Sequence, residues 1–288
     1  MKLHSRYTLL GLCVCFLSLG CCGAQNQQTA TTVSPCDTTS QKVTIQWHTT
    51  NLGQQKVLLA ESEVTSEVQE LIVFLRGDAP FEDPTYQYRI ARQIASLRSN
   101  AVVASLLRPG YKDQCGDRSG GDTGEMIGDN YTWDVIESVN TIVEALQTQF
   151  TPSQTTIIGH SGGAALTALL AAKHPKRMDK ALLVSFPWDL PTWRAHIAEF
   201  TNNPYWTTPT LAGESPVEYV DQLDVDIHIE LIVGTEDKIT PTDLSQRYLQ
   251  AGMKSDKQMR LTIITDGDHD MINRRETLAQ IVEMIDWE

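Results

Sequence analysis

Thr156-Ile157-Ile158-Gly159-His160-Ser161-Gly162-Gly163, followed by Ala164-Ala165-Leu166-Thr167-Ala168-Leu169-Leu170, decides how this chain is read. An apolar run suited to a buried strand stops at a glycine-bounded turn and gives way at once to an apolar helix. A serine on so sharp a turn needs small neighbours, because the backbone is strained and flanking side chains would collide. A serine opening a helix also has a plainer use, as an N-cap whose oxygen accepts a backbone N–H. The strand before it and the helix after it favour an exposed nucleophile.

A serine hydroxyl is a poor nucleophile at neutral pH, so it needs a base, and the base needs an orienting acid. Leu231-Ile232-Val233-Gly234-Thr235-Glu236-Asp237 sets two acids just past a buried run. Ile263-Ile264-Thr265-Asp266-Gly267-Asp268-His269 sets a histidine in the loop after the next one. In the order Ser, Asp, His, the chain from about residue 42 to 288 resembles the α/β-hydrolase family. The resemblance implies Ser161 as nucleophile, Asp237 as acid and His269 as base. Glu236 is the rival acid, and the family's G-x-x-D spacing favours Asp237. His160 is pinned beside the nucleophile and is expected to point away. His174 fits a helix end, and His48, His196 and His228 have no matching context.

Acyl transfer also needs donors aimed at the developing oxyanion. The first expected donor is the backbone N–H of Gly162, next after the nucleophile. The second is expected from Arg76-Gly77-Asp78-Ala79-Pro80, after the apolar run Leu71–Leu75. This segment looks like the family's His-Gly-x-x-Pro with Arg76 in place of His. The match implies the N–H of Asp78, with Gly77 as the alternative. Arg76-Gly77-Asp78 also spells a cell-adhesion tripeptide, but adhesion needs an exposed flexible loop and this one abuts a buried strand. Arg108-Pro109-Gly110-Tyr111 resembles the D-x-R-G-x-G-x-S loop that borders the site in many relatives; plain turn chemistry accounts equally for the glycines that follow.

From Lys42 onward strand-like and helix-like runs alternate. Val43–Trp47 and Lys56–Ala60 flank Asn51-Leu52-Gly53 as an antiparallel hairpin. Asn130–Phe150 has helical spacing at Val135, Val139, Ile142, Val143, Leu146 and Phe150, and Pro152 marks its stop. A hairpin followed by β-α alternation predicts an α/β fold with a mostly parallel central sheet and helices on both faces. Pro187–Val220 breaks the rhythm with Trp188, Trp193, Phe200, Tyr205 and Trp206 and with five prolines. It is too long for a simple connection and is read as a short lid insertion. Its rings either wall an apolar acyl pocket or pack the lid itself.

The 288 residues are 41% hydrophobic and 20% charged, which suits a packed core rather than a disordered chain. Lys and Arg number 23 against 36 Asp and Glu, for a net charge of −13. Such a chain is repelled by phosphate backbones, so nucleic acid is not an expected partner. No HExxH, paired CxxC, P-loop or GxGxxG is present, and the expected chemistry needs no metal or cofactor.

Four of the six cysteines (Cys13, Cys15, Cys21, Cys22) fall in a leader with a basic start, Lys2 and Arg6, and an apolar run from Tyr7 to Leu19. That run is short for a membrane span and reads as a secretory signal. Two exits stay open. Cleavage after Ala24 releases a soluble protein, whereas Ser18-Leu19-Gly20-Cys21 resembles a bacterial lipoprotein box, with Ser18 where Leu is usual, and implies a lipid on Cys21. The expected layout is a leader over 1–24, a polar tether over 25–41 and a hydrolase domain over 42–288 with its lid at about 187–220. Cys36 and Cys115 remain. In an oxidising compartment that pair predicts one disulfide, the alternative being two unpaired thiols.

The expected protein is an exported serine hydrolase, periplasmic, lipid-anchored or secreted. It cleaves a small carboxylic ester in preference to an amide, with a serine peptidase or an acyltransferase as the alternative. A rival of another class is a catalytically silent binding module on the same fold.

Overall fold

In the computed structural model, Cys36 and residues 42–63, 67–207 and 213–286 are described. The leader with Cys21, the rest of the tether and residues 208–212 lie outside the described residues. Strands β1 (Val43–Thr50) and β2 (Gly53–Glu61) form an antiparallel hairpin with Thr50 opposite Gly53. Gly53 takes the positive φ of +93° that closes so tight a turn. There follow β3 (Glu70–Leu75), α1 (Tyr86–Leu97), β4 (Ala101–Leu106), α2 (Trp133–Phe150) and β5 (Gln154–His160). The described chain continues with α3 (Gly162–Lys173), β6 (Lys180–Val184), α4 (Leu190–Thr201), β7 (His228–Gly234), α5 (Thr242–Lys254), β8 (Met259–Ile264) and α6 (Arg275–Glu283).

One eight-stranded sheet results, in the order β1-β2-β4-β3-β5-β6-β7-β8. Pairing is antiparallel at β1–β2 and β2–β4, and parallel from β4 through to β8. Strands of the parallel part are covered on both faces, so β3, β4 and most of β5 are buried throughout and carry continuous apolar runs.

The period-two alternation of those strands divides the interior into two layers. Leu71, Val73 and Leu75 join Val102, Ala104 and Ile157 in the layer under α2 and α3. Ile72, Phe74, Val103 and Ile158 face the opposite layer with α1 and α6. Helix α2 starts at Thr132, whose side chain accepts the Val135 N–H, and stops at Thr151 in the left-handed conformation before Pro152. Helix α3 is apolar all round and buried from Gly162 to Ala171, as a helix with no polar face must be.

In Pro187–Val220 the buried tryptophan rings pack the excursion instead of walling the cavity beside Ser161. The excursion's described residues hold α4, the 3₁₀ turn Pro204–Thr207 and the start of the 3₁₀ turn Pro216–Gln222. Trp188 and Trp193 are buried among the core residues. The Trp193 indole N–H donates to the Ile239 carbonyl at 2.9 Å, and its ring meets Trp206 edge-on. These two rings pack the excursion onto the domain.

Cys36 and Cys115 are joined by a disulfide across 79 residues, with Cα atoms 5.7 Å apart. The loop holding Cys115 is organised by a buried charge cluster. Lys56 Nζ donates to Asp113 and to Asp117 at 2.7 Å each, and Tyr88 donates its hydroxyl to Asp113 at 2.7 Å. The other oxygen of Asp113 accepts the backbone N–H groups of Cys115 and Asp117 at 3.0 Å. Burial first, and then the bond to Asp113, pushes the Tyr88 phenol upward.

Candidate active site

Parallel strands end on the same side of the sheet, so loops far apart in sequence converge at their C-terminal edge. Ser161 sits at the turn between β5 and α3 with φ +53° and ψ −122°. A non-glycine residue held there is strained, and the surrounding contacts explain why it stays. A Cβ added to Gly163 would come 2.0 Å from the Leu75 carbonyl oxygen, and one on Gly162 would come 2.4 Å from the Tyr131 hydroxyl. Only glycine fits either place. The Ser161 side chain makes no capping bond to α3, which disposes of the N-cap use.

Ser161 Oγ lies 3.0 Å from His269 Nε2, and His269 Nδ1 lies 3.1 Å from each oxygen of Asp237. Asp237 comes from the β7–α5 loop and His269 from the loop after β8. Asp237 Oδ1 accepts the N–H of Ile239 at 3.0 Å and of Thr240 at 2.8 Å, and Oδ2 accepts the Thr240 hydroxyl at 2.7 Å. Burial alone would raise this carboxyl; the bond and charge of His269, with the bonds from Thr240, outweigh it and hold Asp237 below its ordinary value. Glu236, the rival acid, is exposed on the outer side of the same loop.

The loop after β3 carries Gly77 and Asp78. Its Gly77 N–H already donates to the Tyr86 hydroxyl oxygen at 3.0 Å. The Asp78 side chain is turned inward and clamped. Arg108 Nη1 donates to Oδ1 at 2.5 Å, while the Tyr131 hydroxyl and the Gly128 N–H donate to Oδ2 at 2.5 and 2.9 Å. The same Arg108 nitrogen reaches the Arg76 carbonyl at 3.3 Å. Burial would lower the Arg108 guanidinium, but the Asp78 charge outweighs that and pushes it up. Arg76 is 2% exposed, too buried to serve as an adhesion motif, and stacks between the rings of Tyr86 and Tyr111.

His160 is buried at the back of the cavity beside Ser161. Its ring lies 2.9 Å from the Tyr86 hydroxyl and 2.9 Å from the His269 carbonyl oxygen. Burial, and then the neighbouring His269, lowers its pKa to about 3, so the imidazole is neutral at ordinary pH. His174 bonds Glu137 at the end of α3.

A cavity of about 650 Å³ opens beside Ser161 and His269. Glu82, Asp83 and Asp270 stand on its wall, and among the described residues none of its lining comes from 187–220. Of the two readings of the tryptophans, packing of the excursion holds, and the cavity is lined from other loops. Among the described residues no group of His, Cys, Asp and Glu could hold a metal ion, and no helix is long and apolar enough to cross a membrane.

Tyr86, Tyr131 and the role of Arg108 escaped the sequence reading, since partners 30 to 74 residues apart leave no local pattern. The one usable signal was Arg108 itself, which falls in the Arg-Pro-Gly turn next to the site.

Solved structures with this fold include an acylaminoacyl peptidase of Pyrococcus horikoshii, with 15% identity and a TM-score of 0.63 over 84% of this chain and 40% of that one. A thermostable carboxyl esterase of Bacillus coagulans is 13% identical at a TM-score of 0.63, covering 84% of this chain and 96% of its own. An esterase of Pyrococcus furiosus is 14% identical at a TM-score of 0.63, covering 84% and 90%. The chain thus spans about 40% of the length of the peptidase and nearly the whole of the esterases. No curated protein matches it.

An eight-stranded, mostly parallel sheet with a serine at the β5–α3 turn gives the chain the α/β-hydrolase fold. More narrowly, the sequence profile of the prolyl oligopeptidase family of peptidases matches residues 122–288, and the chain belongs to that family. The matched stretch contains Ser161, Asp237 and His269 but not the loop of Gly77 and Asp78.

Proposed function

We propose that the protein cleaves a carboxylic ester or an amide through Ser161, His269 and Asp237 and a covalent acyl-enzyme. The unbroken contact from Ser161 Oγ through the His269 ring to the buried Asp237 carboxylate carries this reading. His269 Nε2 takes the Ser161 proton as Oγ attacks the carbonyl carbon. Asp237 holds the imidazole with its Nδ1–H inward and stabilises the charge that develops. The N–H groups of Gly162 and Asp78 meet the oxyanion; with Gly77 N–H engaged by Tyr86, Asp78 is the better second donor. The protonated imidazole then gives its proton to the leaving alcohol or amine. Water activated by the same histidine releases the acid and restores Ser161.

With Trp188 and Trp193 buried, no aromatic pocket supports an ester over an amide. An amide or peptide substrate gains from the family match. Export, with or without lipid on Cys21, is part of the proposal and rests on the leader. A panel of short-chain p-nitrophenyl esters and aminoacyl p-nitroanilides tests the function. Turnover of either, with a transient mass increase on the peptide containing Ser161, supports it. Absence of both the turnover and the adduct favours the silent binding module.

A further inference from the structure

The contacts of His160 determine its proton positions. Its Nε2 faces the His269 carbonyl oxygen at 2.9 Å, and an oxygen of that kind only accepts, so Nε2 carries the proton. In a neutral ring Nδ1 is then the acceptor, and the Tyr86 hydroxyl 2.9 Å away must be its donor. The Tyr86 oxygen in turn accepts the Gly77 N–H at 3.0 Å. One directed chain thus runs from Gly77 N–H to Tyr86 O–H to His160 Nδ1, and from His160 Nε2–H to the carbonyl of His269. A second donor, the Ser185 hydroxyl, reaches the same carbonyl at 3.2 Å.

The chain's two ends matter. Gly77 precedes Asp78, whose N–H is the proposed second oxyanion donor, and the His269 carbonyl belongs to the proposed base itself. Its middle is rigid: His160 is 4% exposed at the end of β5, immediately before Ser161. Tyr86 is held edge-on by Phe74, with the Arg76 guanidinium 5.5 Å from its ring.

We propose that Tyr86 and His160 are positioning residues, a hydrogen-bonded relay that fixes the oxyanion loop and the base loop in one frame about Ser161. The inference rests on the serine-hydrolase reading above. It assigns His160 a task that its neutral, buried state suits: a ring that does not titrate at working pH holds its bonds unchanged while His269 gains and loses a proton. A displacement of about 1 Å at a reacting group is enough to cost on the order of 10²-fold in rate.

The test compares Tyr86→Phe, His160→Leu, His160→Gln and the double variant Y86F/H160L in the full chain. Tyr86→Phe removes one oxygen and keeps the ring against Phe74. The relay predicts that kcat falls about 10- to 100-fold with KM within about twofold of wild type. The rate of fluorophosphonate labelling of Ser161 should fall by a similar factor. His160→Gln, whose amide N–H replaces Nε2–H, should recover part of what His160→Leu loses. The double variant should be no worse than H160L, because both changes break one chain.

Wild-type kcat and labelling in a folded Y86F protein overturn the relay. So does a raised KM with unchanged kcat, which makes Tyr86 a substrate contact, and so does a double variant whose losses multiply. Should the His160 variants not fold, Y86F alone decides. A wild-type protein that neither labels nor turns over substrate overturns the serine-hydrolase reading, and the relay with it.

Discussion

The carboxylate of Asp78 and the guanidinium of Arg108 meet at 2.5 Å, both nearly sealed from solvent, and so tie the loop after β3 to the end of β4. Asp78 carries the backbone N–H proposed as second oxyanion donor, so the ion pair acts on catalysis through geometry. Replacing Arg108 with Met leaves Asp78 buried without its counter-charge. A loss of about 3–5 kcal/mol in urea unfolding is expected. The folded fraction should also lose kcat by about tenfold or more. Stability and kcat both at wild-type levels would refute the clamp.

Asp237→Asn keeps the shape of the acid and removes its charge. By analogy with the same change in other triads, kcat should fall by about 10⁴. The pH dependence follows from its depressed pKa. Asp237 contributes stability above its ordinary value of 3.8, and that contribution is lost as pH falls from there through the lower folded-state value. Wild type should therefore lose stability more steeply than Asp237→Asn in acid, below about pH 4. Denaturation midpoints measured across that range check the sign.

Lys56 sits 1% exposed between Asp113 and Asp117 and does not line the cavity beside Ser161. Lys56→Met removes one partner of a buried pair and should destabilise the fold by about 3–5 kcal/mol. Turnover per folded molecule should stay at the wild-type level. A matched pair of unfolding curves and active-site titrations separates the two effects.

The Cys36–Cys115 bond closes a loop with a sequence separation of 79. Replacing both cysteines with serine should cost about 2–4 kcal/mol, chiefly by freeing the unfolded chain. Activity at room temperature should persist. An unchanged Tm on reduction would mean that the link contributes little.

The strands and helices were legible because their signals are local. Leu71–Leu75 and Thr156–Ile158 are short apolar runs, and each lies in a strand with parallel neighbours on both sides. The place of β4 between β2 and β3 was not legible, since buried strands of similar composition carry no address for their neighbours. Ser161, Asp237 and His269 each follow an apolar strand, but their grouping came from the family resemblance, and the fold brings the three side chains into contact. Tyr86, Tyr131 and Arg108 meet their partners only through the fold. The tryptophans at 188 and 193 left two readings open because large rings mark burial as readily as they mark a pocket, and here they are buried.

Fluorophosphonate labelling of wild type beside Ser161→Ala tests the central claim most directly, because the probe reacts only with an activated serine. The site predicts stoichiometric labelling of wild type at Ser161, none in the variant, and a turnover lowered by about 10⁴–10⁶ with circular dichroism unchanged. Labelling retained in a folded Ser161→Ala protein, or a wild type inert to the probe, would contradict it.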